Sequence, residues 1–189
     1  NNCSGSIPAP SSMQPIDRQF LEDVRKIVDQ AEASYDSFRV RKASQHIMEL
    51  AQLGNVYFDA KRPWSDAKHP ETRASMETTI YCCFECLKSL ALISSPIIPE
   101  AASKVWSMIG YTKPLTSFGW TEIVTHQIPS GRQLAEPQIL FKKIEDSLIA
   151  EESAQLKAMG EKHLKTEQQV SYAPLKDPVD IEDVKKLDL

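Results

Sequence analysis

Apolar residues recur at intervals of three and four along residues 17–110, and the breaks in that rhythm fall at prolines. This spacing puts the apolar groups on one face of a helix, and proline marks where a helix cannot continue. Phe20, Val24, Ile27, Val28, Ala31 and Tyr35 predict a first helix, with Asp17 as its cap and Pro15 just outside it. Phe38, Ala43, Ile47, Leu50, Ala51 and Phe58 predict a long second helix over 38–61, stopped by Pro63. A third carries Met76, Ile80, Cys83, Phe84, Leu87, Leu90 and Ala91 and must end near Ser95, because Pro96 crowds the preceding turn. Pro99 suits the first turn of a fourth helix with Ala102, Val105, Trp106 and Ile109, closed by Gly110. Four amphipathic helices with short connections make a mainly α protein, an antiparallel helical bundle.

The flanks have a different texture. Residues 1–16 hold Pro8, Pro10 and Pro15 among serines, which predicts a linker or cut end unable to bury enough surface to order itself. After Gly110, the residues Pro114, Gly119, Pro129, Gly131 and Pro137 divide the chain into short extended pieces. Residues 142–165 read as a solvated surface helix, with Ile144, Leu148, Leu156 and Met159 sparse among charges. Beyond Gln168 come a short alternating segment and a brief acidic helix, and the chain reads as cut at its end.

Charge and cysteine usage narrow the function classes. With 22 Lys and Arg against 26 Asp and Glu the net charge is -4, which excludes a whole-surface nucleic-acid footprint and leaves room for a local patch. No apolar stretch is long enough to cross a bilayer, and no secretory signal opens the chain. Cys82, Cys83 and Cys86 lie too close together for a disulfide framework, so reduced thiols in a cytoplasmic protein are expected. The pair Cys83 and Cys86 has the spacing of zinc ligands, but it sits inside a helix with no second pair, and no metal is expected. No phosphate loop and no two-His zinc helix can be assembled, and nothing nominates a catalytic residue.

The residues richest in chemical content close the second helix. Asn55-Val-Tyr-Phe-Asp-Ala-Lys-Arg-Pro-Trp64 brings the chain out of the helix at Pro63 and offers Trp64 on the turn beyond. An indole face stacks on an unpaired base for about 1–3 kcal/mol without base-specific hydrogen bonds. Lys61 and Arg62 add positive charge beside it, as candidate phosphate contacts. Local features leave a second reading open, in which Trp64 plugs the bundle and the two cations are merely solvated.

That segment, with the preceding Ile47-Met-Glu-Leu-Ala-Gln-Leu-Gly54, resembles a motif of the helical anticodon-binding domain of methionyl-tRNA synthetases, a class I family. The likeness extends over 17–110, including the Ser95-Pro-Ile-Ile-Pro99 junction, and continues through Gly131 and Glu136-Pro-Gln-Ile-Leu-Phe-Lys-Lys-Ile-Glu145, similar to the family's linker peptide. Val179-Asp-Ile-Glu-Asp-Val-Lys-Lys-Leu-Asp-Leu189 is similar to the opening of an appended tRNA-binding domain. The resemblance implies a helical anticodon-binding domain over 17–112, a linker peptide and surface helix over 113–168, and the truncated start of the appended domain over 169–189.

It also implies a mechanism. Trp64 would stack on a base of the methionine anticodon, helped by Pro63, Asp59 and Asn55 at the end of the same helix. The family places a further Asn and Arg on a helix ahead of residue 1. The partner implied is methionine tRNA, with a homodimer through the appended domain. Methionine activation with ATP uses two signature motifs that these 189 residues do not contain, so the chain is expected to be a non-catalytic part of the ligase, with ATP and zinc belonging to the full-length enzyme. The competing readings are a helical scaffold for protein association and the equivalent domain of a sibling synthetase, against which the Pro63-Trp64 ending speaks.

Overall fold

The computed structural model describes Cys3 and residues 5–167, with side chains described as far as Gly160. Residues through Phe141 form one compact unit and those from Lys142 a second. The first holds helices α1 (Pro15–Asp36), α2 (Val40–Lys61), the one-turn α3 (Pro63–Asp66), α4 (Arg73–Ser94), α5 (Pro99–Met108) and the short α6 (Trp120–Thr125). Among the described residues there is no strand, and one isolated antiparallel bridge joins Ser6 to Gln133.

Helix α4 is the axis of the bundle, packed against α1, α2, α3, α5 and α6. Because neighbours approach from several sides, its buried residues include Tyr81, Cys82, Cys86, Ala91, Leu92 and Ile93, where the sequence predicts a single stripe through Cys83 and Leu87. Leu87 is exposed. Gly54 of α2 faces Cys86 so closely that a Cβ there would sit 3.2 Å from its Sγ, which fixes how near the two helices come. Burial pushes the thiols up, Cys82 to about 11 and both Cys83 and Cys86 to about 12.

Several sequence expectations need correction. Helix α1 begins three residues earlier than expected: Gln14 is its cap residue, and Asp17 is the third helical residue, whose carboxylate accepts the Gln14 amide at 2.8 Å. Helix α2 begins at Val40, because Phe38 adopts a left-handed φ of 55° that ends the preceding turn and leaves its ring 91% exposed.

The segment expected to be a loose linker is tied down. Ile7 is buried in the core, its amide donates to the Arg132 carbonyl and its carbonyl accepts from Gly131. The amides of Ser11 and Ser12 donate to the Thr78 hydroxyl of α4. Composition undervalues this segment because its hydrogen-bond partners lie more than sixty residues away.

Residues 113–141 likewise belong to the bundle unit. Leu115, Ile123 and Ile128 are buried, and Glu85 of α4 accepts the Ile128 amide at 2.6 Å while Lys88 donates to the His126 carbonyl at 2.6 Å. Gly110 has a φ of 88°, and a Cβ there would lie 2.2 Å from the Gln133 carbonyl oxygen, so only glycine permits this close crossing. In the second unit, α7 (Asp146–Glu167) carries exposed Leu148, Ile149, Leu156 and Met159, in line with the solvated helix expected. The expected start of an appended domain at 169–189 lies outside the described residues.

Candidate nucleic-acid interface

The interface is organised by the left-handed turn at the end of α2. Arg62 takes φ 47° and ψ 55°, and its amide still reaches the Phe58 carbonyl at 3.0 Å, so the helix ends there and Pro63 opens α3 in a new direction. Pro63 is buried and acts as the pivot. Trp64, the next residue, keeps half of its surface in solvent, and its ring lies 5.4 Å from that of Phe58 at 55°. The indole is thus braced on one side and open on the other.

Beside it lies a mostly apolar hollow of about 320 Å³, lined by Phe58, Pro63, Trp64, Met76, Ile80 and Phe84 among others. Asn55, Asp59 and Arg62 follow one another at spacings of four and three along the outer ridge of α2, all exposed. Their side chains make no hydrogen bond or ion pair among the described residues, so their polar groups are free for a ligand. The structure therefore brings Asn55, Asp59, Arg62, Pro63 and Trp64 to one end of the bundle.

Lys61 belongs elsewhere. Its side chain is only 6% exposed, and Nζ lies 3.1 Å from the Asp17 carboxylate and 3.0 Å from the Gln14 amide oxygen. The expected phosphate contact through Lys61 is corrected by this geometry: its charge is already neutralised inside the fold. Asp17 also accepts the Tyr57 hydroxyl at 2.7 Å, and Tyr57 stacks on Phe20 with ring centroids 3.8 Å apart. Burial pushes the Asp17 carboxyl up, but hydrogen bonds from the Gln14 amide, Tyr57 and Lys61 outweigh it and hold the group below its ordinary range. Burial and the Asp17 carboxylate push the Tyr57 phenol well up, so it remains a donor. This network locks the last turn of α2 to the first turn of α1, and that lock sets the angle at which Trp64 is offered.

The sequence carried no sign of Asp17, Tyr57 or Gln14 as supports of Trp64, since the contacts that join α1 to α2 here cross 40 or more residues. The hollow residues Met76, Ile80 and Phe84 were legible only as core. The ridge of Asn55, Asp59 and Arg62 could have been read from its spacing.

With the geometry fixed, relatives place the chain. A family model described as the anticodon binding domain of methionyl tRNA ligase matches residues 7–161. The chain belongs to the methionyl-tRNA ligase anticodon-binding family. The methionine–tRNA ligase of Protochlamydia amoebophila is 46% identical over 196 residues, spanning 100% of this chain and 28% of the relative. That of Chlamydia pneumoniae is 39% identical over 145 residues, spanning 70% of this chain and 25% of its own. The apo methionyl-tRNA synthetase of Mycobacterium tuberculosis shares the fold with a TM-score of 0.68 over 77% of this chain and 29% of its own, at 22% identity. The chain thus spans about a quarter of the length of the methionyl-tRNA ligases it matches. The helical anticodon-binding fold expected from the sequence is the fold observed.

Proposed function

We propose that this chain is the part of a methionine–tRNA ligase that binds the anticodon loop of tRNA, and of methionine tRNA in particular. The half-exposed Trp64, braced by Phe58 at the end of an unpaired polar ridge, is the observation that carries this reading. An unpaired base stacks on the open indole face, gaining about 1–3 kcal/mol. Because Pro63 fixes the turn, little entropy is lost in presenting that face.

The ridge supplies selectivity. The Asn55 amide offers both a donor and an acceptor to base edges, whereas the Asp59 carboxylate only accepts and so favours a base that presents an N–H. Arg62 is exposed and unpaired, and in this reading it takes the phosphate contact that Lys61 is not free to make. Methionine activation by ATP, and any zinc, are assigned in the same reading to portions of the ligase other than these residues.

The test is binding of the full chain to an RNA hairpin carrying the methionine anticodon, compared with the same hairpin with its loop scrambled. Trp64→Ala should weaken binding about 5- to 150-fold, the equivalent of the stacking energy, and Trp64→Phe should recover part of the loss. Equal affinity of wild type and Trp64→Ala would overturn the reading.

A further inference from the structure

A groove runs along the outer seam between α1 and α2. At one end a hollow of about 440 Å³ opens between Ile16 and Asp23 of α1 and Val56 and Ala60 of α2. It continues into a second hollow of about 680 Å³ between Ile27 and Met48, and the two share Leu53 and Val56. The stacked rings of Phe20 and Tyr57, both buried, border the first. From Ile16 to Ile27 the groove follows α1 for about 16 Å, roughly three helical turns.

Its apolar residues are not used by the core. Ile16 is 44% exposed, Val56 55% and Met48 69%, and an apolar face of this length on a folded surface marks an interaction site. The charges in its walls have one sign. Asp23 stands in line with Ile16, Phe20 and Ile27 at spacings of three and four, Glu49 faces the groove from α2, and no cation lines either hollow. Each carboxylate has one oxygen engaged: Asp23 Oδ1 accepts the Gln19 amide at 3.2 Å, and Glu49 Oε2 lies 2.8 Å from His46 Nδ1. The second oxygen of each has no partner among the described residues.

We propose that this groove docks an amphipathic helix of a partner protein, one that lays an apolar stripe on Ile16, Leu53 and Val56 and sets Lys or Arg side chains against Asp23 and Glu49. The seam between two packed helices takes the side-chain ridge of a third, with anchors at every third and fourth position. Carboxylates in a wall without cations repel a phosphate backbone, so RNA is a poor occupant. A second copy of this chain would bring the same acids across a two-fold contact, where like charges oppose it. Rim charges speed encounter and select among separate partners, a return that a covalently linked segment does not need. The groove shares no lining residue with the hollow beside Trp64, so the proposal does not depend on the anticodon reading.

The experiment is an NMR titration of the full ¹⁵N-labelled chain with a synthetic helical peptide of about fourteen residues, apolar at every third and fourth position and flanked by lysines. The comparison peptide carries glutamates in place of the lysines. The amides of Asp23, Ile27, Leu53 and Val56 should shift and saturate with the lysine peptide, and the glutamate peptide should bind about tenfold or more weakly. Asp23→Lys with Glu49→Lys should reverse that preference. Should this variant not fold, Asp23→Asn with Glu49→Gln should weaken the lysine peptide about three- to tenfold. Met48→Ser with Val56→Ser, both at exposed positions, should weaken both peptides. Equal affinity of the two peptides, or shifts confined to residues outside the groove, would overturn the proposal. So would the same amides moving with chain concentration alone, which gives the groove to a second copy. Loss of peptide binding in a longer ligase polypeptide containing this chain would overturn it too, by giving the groove to the ligase itself.

Discussion

Replacing Lys61 and replacing Arg62 should have opposite consequences, although the two are neighbours of like charge. Lys61→Met keeps the aliphatic stem but removes the cation that lies 3.1 Å from a fully buried carboxylate. Breaking a buried ion pair from one side costs about 3–5 kcal/mol. Asp17 retains the Tyr57 hydroxyl and the Gln14 amide, so the loss should fall to about 2–4 kcal/mol. With a urea slope near 2 kcal/mol per molar, the unfolding midpoint followed by circular dichroism should drop by about 1–2 M. Arg62→Met touches an exposed, unpaired side chain and should change stability by less than about 0.5 kcal/mol. RNA binding should show the reverse. Arg62→Met should flatten the dependence of log K on log salt by about 0.7, one phosphate contact of a single strand, whereas Lys61→Met, measured where it is folded, should leave that slope unchanged. An unmoved urea midpoint for Lys61→Met, together with a flattened salt slope, would refute this division of labour.

Three further outcomes follow from the same structure. Gly110→Ala must place a methyl against the Gln133 carbonyl and hold a left-handed backbone, so its thermal midpoint should fall by an amount equivalent to about 2 kcal/mol or more, read by calorimetry. The lowered Asp17 carboxyl contributes stability that is complete above its unfolded value near 4 and is lost as pH falls through the native value. The thermal midpoint should therefore decline below about pH 4, and that component should vanish in Asp17→Asn. Cys82 and Cys86, buried and with raised values, should resist iodoacetamide at pH 7.5 until urea unfolds the chain, and the half-buried Cys83, also raised, should react slowly, as mass spectrometry would show.

Where local rules act alone, the sequence is a good guide. Pro63, Pro96, Pro99 and Gly110 end or open helices at the places their ring or missing side chain demands, and the bundle follows from them. It is a poor guide where distant partners decide. Ile7 looks like part of a disordered tail until the 131–134 backbone is beside it, and Lys61 looks like a free cation until Asp17 is found beneath it. Phe38 fits an apolar stripe by spacing but is expelled from it by the turn it makes. At the interface, the Pro63-Trp64 ending was visible because it is local, whereas the network that aims it was not. The buried ring of His46 shows the same limit, since spacing places it on a helix but does not reveal an unpartnered nitrogen.

The most direct test watches the three indole N–H signals of the full chain during titration with a hairpin carrying the methionine anticodon. Trp64 is half open, whereas Trp106 is buried with its N–H donated to the Lys113 carbonyl, and the Trp120 N–H is shut from solvent. The Trp64 signal should move and saturate with the RNA, and the scrambled loop should move it less, with Trp106 and Trp120 unchanged. A Trp64 signal that stays fixed at saturating RNA would contradict the account.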